Sequence, residues 1–427
     1  MKILWFTGVS SKHNKSYGGG GWIRSLASEL SKRDDIQLAT AYFYDDDISA
    51  FEENGYMHIP MYRQERTKVQ KFRYNWDKSY RKRYDDSNLI MMKNVIEEFS
   101  PDIIQVFGTE SVFTPLIGKC EIPIVLYLQG MLNPIYNAYY PNLMNDSTIK
   151  SLKKDKAEFL FNNGLIRRYK DLKDIADRER RVFKDAKYVI GRTSFDYRVS
   201  RLYAPQSQYF KLNEMMRKSF YVSPKWEKPF GQSEYHIFST LSGVTYKGFD
   251  VILRTAKILK DNSCHFKWHI AGLNKNHSVV RLFEKFTGIC SDDVGVTYLG
   301  VLNEGQLIGQ LGQSDVMVHP SYIDNSPNSV CEAQLLGLPV IACYVGGVPD
   351  FIEHEVSGLL MPTNDPYTLA SYLMKDISEP FLYKYSDIAR ERAFKRHNSE
   401  MIVTDAISIY KNILNQNENN SGTPYGI

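Results

Sequence analysis

At 427 residues the chain is longer than one hydrophobic core usually supports, so two domains are expected. Its 43% hydrophobic and 24% charged content is ordinary globular composition, and a net charge of +4 is too slight at this length to point to nucleic acid. Five cysteines without CxxC spacing argue against a disulfide framework or a zinc cluster; with no apolar run near 18 residues and no signal-peptide pattern, a cytoplasmic protein is expected.

The first segment, KILWFTG, reads as a buried strand, and WIRSLASELSKR as an amphipathic helix with Trp22, Leu26 and Leu30 on one stripe. Between them lie four glycines, Gly18 to Gly21. Backbone without Cβ atoms can approach a bound phosphate closely, and Gly18 and Gly19 are the candidates for that role. A dinucleotide fingerprint fits less well, because its glycines should follow the strand at once. Further strands read as IQLATAYFY, DIIQVFG, PIVLYLQ and KYVIGRT, with helical segments alternating, which is the rhythm of a doubly wound parallel sheet. Within this half, residues 62–84 carry nine Lys or Arg against two acids, with six aromatics interleaved. A solvated surface is the commonest meaning of such a run. Its leading functional meaning is peripheral contact with an anionic membrane or an acceptor.

SPKWEKPFGQS, from 223, reads as a linker, after which βα units follow one another: YHIFSTLS, FDVILRTAKILKDN, HFKWHIAGL, SVVRLFEKF, VTYLG, EGQLIGQLGQS, VMVHPS, PNSVCEAQLLG and PVIAC. His265 and His269 fall on one predicted strand about 13 Å apart, so no metal site is expected. The chain is therefore divided into a first domain, 1–222, a second, 223–395, and a last helix, 396–415, with Ile402, Ala406, Ile409 and Ile413 at helical spacing. The Asn-rich tail 416–427 is expected to be disordered.

The segment HPSYIDNSPNSVCEAQLLGLPVIACYVGGVPD carries the most chemistry. It sets Asp324 and Glu332 eight residues apart around a strand end, a helix and a glycine turn. Ser326 as N-cap and Pro327 in the first turn predict a helix that stops at Gly337. The free amides of such a helix start favour a diphosphate. Ionised Asp and Glu are pure acceptors, so the two acids suit hydroxyl pairs, one on a ribose and one on a sugar.

This segment resembles the donor-site signature of the retaining glycosyltransferases of family 4, whose core is an acid, seven residues, then Glu. The resemblance implies a GT-B fold: two Rossmann-like, doubly wound α/β domains facing a central cleft. It implies that Glu332 holds the nucleotide ribose and that Asp324, with the amides of Asn325, Ser326, Asn328 and Ser329, meets the donor sugar. Gly346 and Gly347 would shape the turn beside the base and phosphates, and Lys247 would take the diphosphate. Family members pair that lysine with an arginine five residues earlier, where this chain has Ser242; Arg192 and Arg217 are the candidate replacements. Gln129 stands where many relatives have a histidine on the donor sugar, and its amide suits a hydroxyl or a developing charge rather than proton transfer. By the same resemblance the activity is a retaining, metal-independent, hexosyltransferase-like transfer without a cofactor. The donor would be a UDP- or GDP-sugar and the acceptor a glycan or lipid-linked hydroxyl, in cell-surface polysaccharide or glycolipid synthesis. No nucleic acid is a partner, and the site of action is the cytoplasm or the inner face of the membrane. The rival readings are a non-catalytic donor-binding scaffold and a sugar-nucleotide epimerase.

Overall fold

The computed structural model describes residues 1–8, 21–141, 144–152, 164–227 and 234–421. Its first sheet holds β1 (Lys2–Phe6), β2 (Gln37–Tyr44), β3 (Phe51–Glu53), β4 (Tyr56–Tyr62), β5 (Ile103–Phe107), β6 (Ile124–Tyr127), β7 (Tyr188–Gly191) and β8 (Gln208–Lys211). Their order is β3-β4-β2-β1-β5-β6-β7-β8, parallel throughout except for β3 against β4. The second sheet holds β9 (Tyr235–Thr240), β10 (Phe266–Ala271), β11 (Val296–Gly300), β12 (Val316–His319), β13 (Val340–Cys343) and β14 (Leu359–Met361). It runs β11-β10-β9-β12-β13-β14, all parallel. Counted from its own first strand, this is the order 3-2-1-4-5-6 of dinucleotide-binding sheets.

Helices cover both faces of each sheet, so the central strands are apolar throughout: β5, β12 and β13 are buried at every position. In β1, Ile3 and Trp5 face one layer with Trp22, Leu26 and Leu30, while Leu4 and Phe6 face the other with Val95, Phe99 and Phe183. The two domains are GT-B in architecture, α/β with two Rossmann-like parallel sheets.

The last helix, Ser399–Ser421, returns to the first domain. Ile402, Ala406, Ile409 and Ile413 are buried there, and Tyr410 accepts from the Trp5 indole at 3.2 Å while donating to Gln105 Oε1 at 2.8 Å. The helix continues through residues 416–421, which composition had assigned to a disordered tail. Asn and Gln are only mildly unfavourable in a helix, so an already nucleated helix propagates into them. The rest of that tail lies outside the described residues. The hairpin β3–β4 was not expected, although its turn is an Asn54-Gly55 pair with both residues left-handed, the strongest short-range hairpin signal.

Candidate functional site

In a sheet of order 3-2-1-4-5-6, ligands bind at the carboxyl edge between strands 1 and 4, where the winding reverses. Here those strands are β9 and β12; β12 ends on His319, and the loops that follow the two strands carry Lys247 and Asp324. The β9 loop closes on a single 3₁₀ turn, Thr245–Lys247, and then Gly248 at φ 77°. A Cβ on Gly248 would lie 2.1 Å from the Pro320 carbonyl oxygen, so only glycine lets the two loops touch.

That contact brings Lys247 Nζ to 2.5 Å from Asp324 Oδ2, with His319 Nε2 3.0 Å from the same oxygen. Asp324 Oδ1 accepts from the Asn325 amide at 2.9 Å. Burial opposes ionisation of Asp324, but Lys247 and His319 outweigh it and hold the carboxyl well below the usual range. Lys247 and Asp324, expected on the phosphate and the sugar of a donor, pair with each other here, as opposite charges in a low-dielectric crevice do, and the Asn325 amide donates to Asp324.

The next helix runs Asn328–Leu336 with Pro327 at its cap, so it starts later than the sequence suggests, and Ser326 makes no cap bond. Its end at Gly337, φ 88°, is where it was expected. Asn328 and Ser329 supply the first-turn amides, which no helix can satisfy internally. Around them, Asn325 Oδ1, Ser326 Oγ and Asn328 Oδ1 are buried with no partner among the described residues. Each unpaired buried polar atom costs about 1–3 kcal/mol, so three together mark a place built for something polar.

Glu332 lies one turn into this helix and is 8% exposed. Its Oε1 accepts from Arg217 Nη2 at 2.6 Å and Nε at 3.2 Å, while Arg217 Nη1 reaches Glu304 Oε2 at 3.2 Å. Burial raises the Glu332 carboxyl and Arg217 opposes the rise. Arg217, a candidate for the missing phosphate cation, is therefore shared between two carboxylates, and among the described residues Glu332 Oε2 has no partner. Beside this group opens a groove of about 820 Å³, lined by Gly21, Arg24, Met216, Arg217, Tyr221 and Glu304. That is ample for a nucleotide. Arg192, the other candidate, is buried at the end of β7 and donates from Nη2 to the Gln129 carbonyl at 2.6 Å.

Gly346 and Gly347 pack against the acid loop. A Cβ on either would sit 1.9 Å from a carbonyl oxygen, of Asp324 and of Asn325 respectively. The Gly347 amide donates to Asp324 O at 3.1 Å. This close packing holds Asp324 and Asn325 in place. Gln129 belongs to the first domain, and its carbonyl accepts from Asn325 Nδ2 at 3.1 Å, which joins the two domains at the acid loop. Asp350, in the GGVPD turn, adds a second bridge by accepting from the Ser194 amide and hydroxyl, both at 2.6 Å. Gly18 and Gly19 lie outside the described residues.

Sequence reasoning gave no role to Glu304, Asp350 or His319. Of these only His319, at a strand end before proline, carried a signal. Among the described residues, one group with metal-ligand chemistry, Glu214, Cys331 and His397, is buried with its ligand atoms within 4.8 Å of one another. Arg396 Nε already stands 3.6 Å from Glu214 Oε1 and, with His397, helps hold that carboxyl down to about 2 against its burial. The group is a neutralised junction between the domain connection and the last helix, and a poor fit for a cation.

With this geometry in hand, comparison with known proteins is informative. Residues 236–378 match the family described as glycosyl transferases group 1. Among curated relatives, the chain is similar to the amylovoran biosynthesis glycosyltransferase AmsK of Erwinia amylovora, 28% identical over 137 residues. That match covers 30% of this chain and 32% of the relative, so it spans about a third of either protein. Among solved structures, sucrose-phosphate synthase from Thermosynechococcus elongatus superposes with a TM-score of 0.71 at 15% identity, covering 97% of this chain and 99% of the other. HepE of Anabaena in complex with UDP and glucose gives 0.60 at 16% identity, covering 96% and 98%.

Proposed function

We propose that this chain, whose residues 236–378 match the glycosyl transferases group 1, moves a sugar from a nucleoside-diphosphate sugar to a hydroxyl acceptor with retention of configuration. The observation that carries this reading is the convergence at one switch point. Lys247, Asp324, the first amides of the Asn328–Leu336 helix and three unpaired polar atoms all meet at the β9/β12 edge.

In this reading the diphosphate takes Lys247 from Asp324 and lies against the amides of Asn328 and Ser329. Asp324, so released, accepts from a hydroxyl of the sugar, and Glu332 Oε2 accepts from the ribose. Departure of the nucleoside diphosphate leaves negative charge on its terminal phosphate, where Lys247 and the amides are already aimed. The acceptor attacks from the same face and its proton goes to the departing phosphate oxygen. The chemistry needs no divalent cation and no carboxylate pair of the glycosidase kind. Of the UDP- and GDP-sugars considered, a UDP-hexose donor is supported by HepE, whose solved complexes hold UDP, glucose and UDP-glucose. Polysaccharide synthesis is supported by the likeness to AmsK.

Lipid-linked acceptors are drawn from the Lys68–Trp76 helix of the first domain. Val69, Phe72 and Trp76 share one face, 76%, 56% and 62% exposed, among Lys68, Lys71 and Arg73. An apolar stripe framed by cations suits the surface of an anionic bilayer. Among the described residues no helix is long and apolar enough to cross one.

The test is a thermal-shift panel of UDP-, GDP-, ADP- and TDP-sugars. One nucleotide class should raise the melting temperature, and Glu332→Ala should weaken that response. No shift from any donor would refute the reading. Binding without turnover, in the presence of crude lipid acceptor, would instead favour a scaffold.

A further inference from the structure

The first sheet has a switch point of its own. Its chain winds outward from β1 through β2 to β4 and β3 on one side, and from β5 through β6 and β7 to β8 on the other, so the crevice lies beyond β1 and β5. The loop after β5 is Gly108-Thr109-Glu110, and its backbone is pinned on each side. The Gly108 amide donates to Tyr127 O at 2.8 Å, and Thr109 Oγ1 donates to the buried Glu179 carboxylate at 2.6 Å. Arg178 Nη2 donates to the Glu110 carbonyl at 2.9 Å. Glu179 also accepts from the Leu132 and Asn133 amides, which ties this loop to the one after β6.

On that fixed backbone the Glu110 side chain is exposed and folds back over Gly108. A Cβ on Gly108, at φ 79°, would lie 2.4 Å from both carboxylate oxygens, so glycine is what makes room for them. The two neighbouring cations aim their N–H groups at carbonyls, Arg178 at Glu110 O and Arg192 at Gln129 O. Across the cleft, Tyr246 precedes Lys247; burial first, and then the charges of Asp324 and Glu110, raise its hydroxyl. One acid therefore follows a switch-point strand of each sheet, Glu110 after β5 and Asp324 after β12.

We propose that Glu110 is the acceptor-binding carboxylate: it accepts a hydrogen bond from the hydroxyl to be glycosylated and holds that oxygen toward the donor. The assignment rests on the glycosyl-transfer reading above. In the step, the bond from the anomeric carbon to the departing phosphate breaks and its electron pair leaves with the nucleoside diphosphate. The acceptor oxygen forms the new bond, and its proton passes to the phosphate; Glu110 ends as it began, an anion. Its environment suits a pH-gated hydroxyl acceptor. The protein walls of the cleft push the carboxyl upward although it still meets solvent, the Glu179 charge adds to the rise, and its own amide, Arg192 and Arg178 oppose it. Ionised, the carboxylate accepts the hydrogen bond; protonated, it carries a proton at that position.

The experiment uses the full chain and a panel of UDP-glucose, UDP-galactose, GDP-mannose and GDP-fucose. The nucleotide sugar that raises the melting temperature most is carried forward, with water as the acceptor. Nucleotide release is followed from pH 5 to 9 alongside donor affinity by calorimetry. Glu110→Gln should leave donor affinity unchanged, lower release about 10- to 100-fold at pH 8, and remove the acid limb of the profile. Glu110→Asp should retain a limb. A Glu110→Gln enzyme with wild-type rate and an intact acid limb would overturn the assignment, as would a loss of donor affinity equal to the loss of rate. Failure of the wild type to bind any of the four would count against the donor reading instead, so the two failures are distinguishable.

Discussion

Replacing Asp324 by Asn tests the architecture of the donor loop through the charge it neutralises. The substitution keeps an oxygen for the Asn325 amide and removes the anion from Lys247, leaving an ammonium that is 21% exposed beside a carboxamide. Breaking a fully buried pair from one side costs about 3–5 kcal/mol, and partial access to water brings the expected loss here to about 2–3 kcal/mol. For a domain of this size that is a fall in melting temperature of roughly 4–12 °C. Lys247→Met alone should also destabilise, because it strands the carboxylate. The double variant should recover to within about 1 kcal/mol of wild type, since neither charge then remains unpaired. Calorimetry or urea unfolding of the four proteins completes the cycle. Single losses that simply add in the double variant, or a single loss below about 0.5 kcal/mol, would refute the claim that this pair is what fixes the loop.

Glu332→Ala removes the ribose acceptor and should weaken the selected nucleoside diphosphate about 10- to 100-fold by isothermal titration, with nucleobase-free pyrophosphate unaffected. Gly248→Ala forces a Cβ into the Pro320 carbonyl at a positive φ, so it should lower stability by more than about 1 kcal/mol and abolish donor binding, read by thermal shift with and without donor. Because the folded Asp324 carboxyl is held below its unfolded value of about 3.9, its contribution to stability is complete above that pH and is lost as pH falls toward the folded value. Acid unfolding of Asp324→Asn should accordingly be less steep than that of wild type. Phe72→Glu with Trp76→Glu should abolish co-sedimentation with vesicles of phosphatidylserine and phosphatidylcholine while leaving donor binding intact; unchanged sedimentation would remove the membrane assignment.

Much of this was legible because the second domain is locally consistent. Its buried strands read as short apolar runs, and the turn residues Pro320, Gly337 and Gly346 punctuate them. The acid pair was singled out by its spacing within a segment that resembles the family 4 donor signature, that resemblance implied the GT-B fold, and the alternation of strands and helices gave the doubly wound sheets. The partners of those acids were not legible. Arg217 meets Glu332 across 115 residues and Lys247 meets Asp324 across 77, contacts that exist only once the strand order is known. The same reason hid Glu110: nothing local distinguishes VFGTE from any strand end until β5 is placed beside β1. The helix start moved past Ser326 because Pro327, which has no N–H, serves as the cap residue itself. In the tail, polar composition suggested disorder, yet the helix propagates from the apolar stripe that Ile402 to Ile413 anchor on the first domain.

The central claim is that an activated sugar lies at the β9/β12 edge, with its diphosphate between Lys247 and the start of the Asn328–Leu336 helix. A crystal structure with the selected nucleoside diphosphate tests it directly. The account predicts Lys247 turned from Asp324 to a phosphate oxygen, the amides of Asn328 and Ser329 on the same group, and the ribose hydroxyls on Glu332. Nucleotide bound elsewhere, with the Lys247–Asp324 and Arg217–Glu332 pairs both undisturbed, would contradict it.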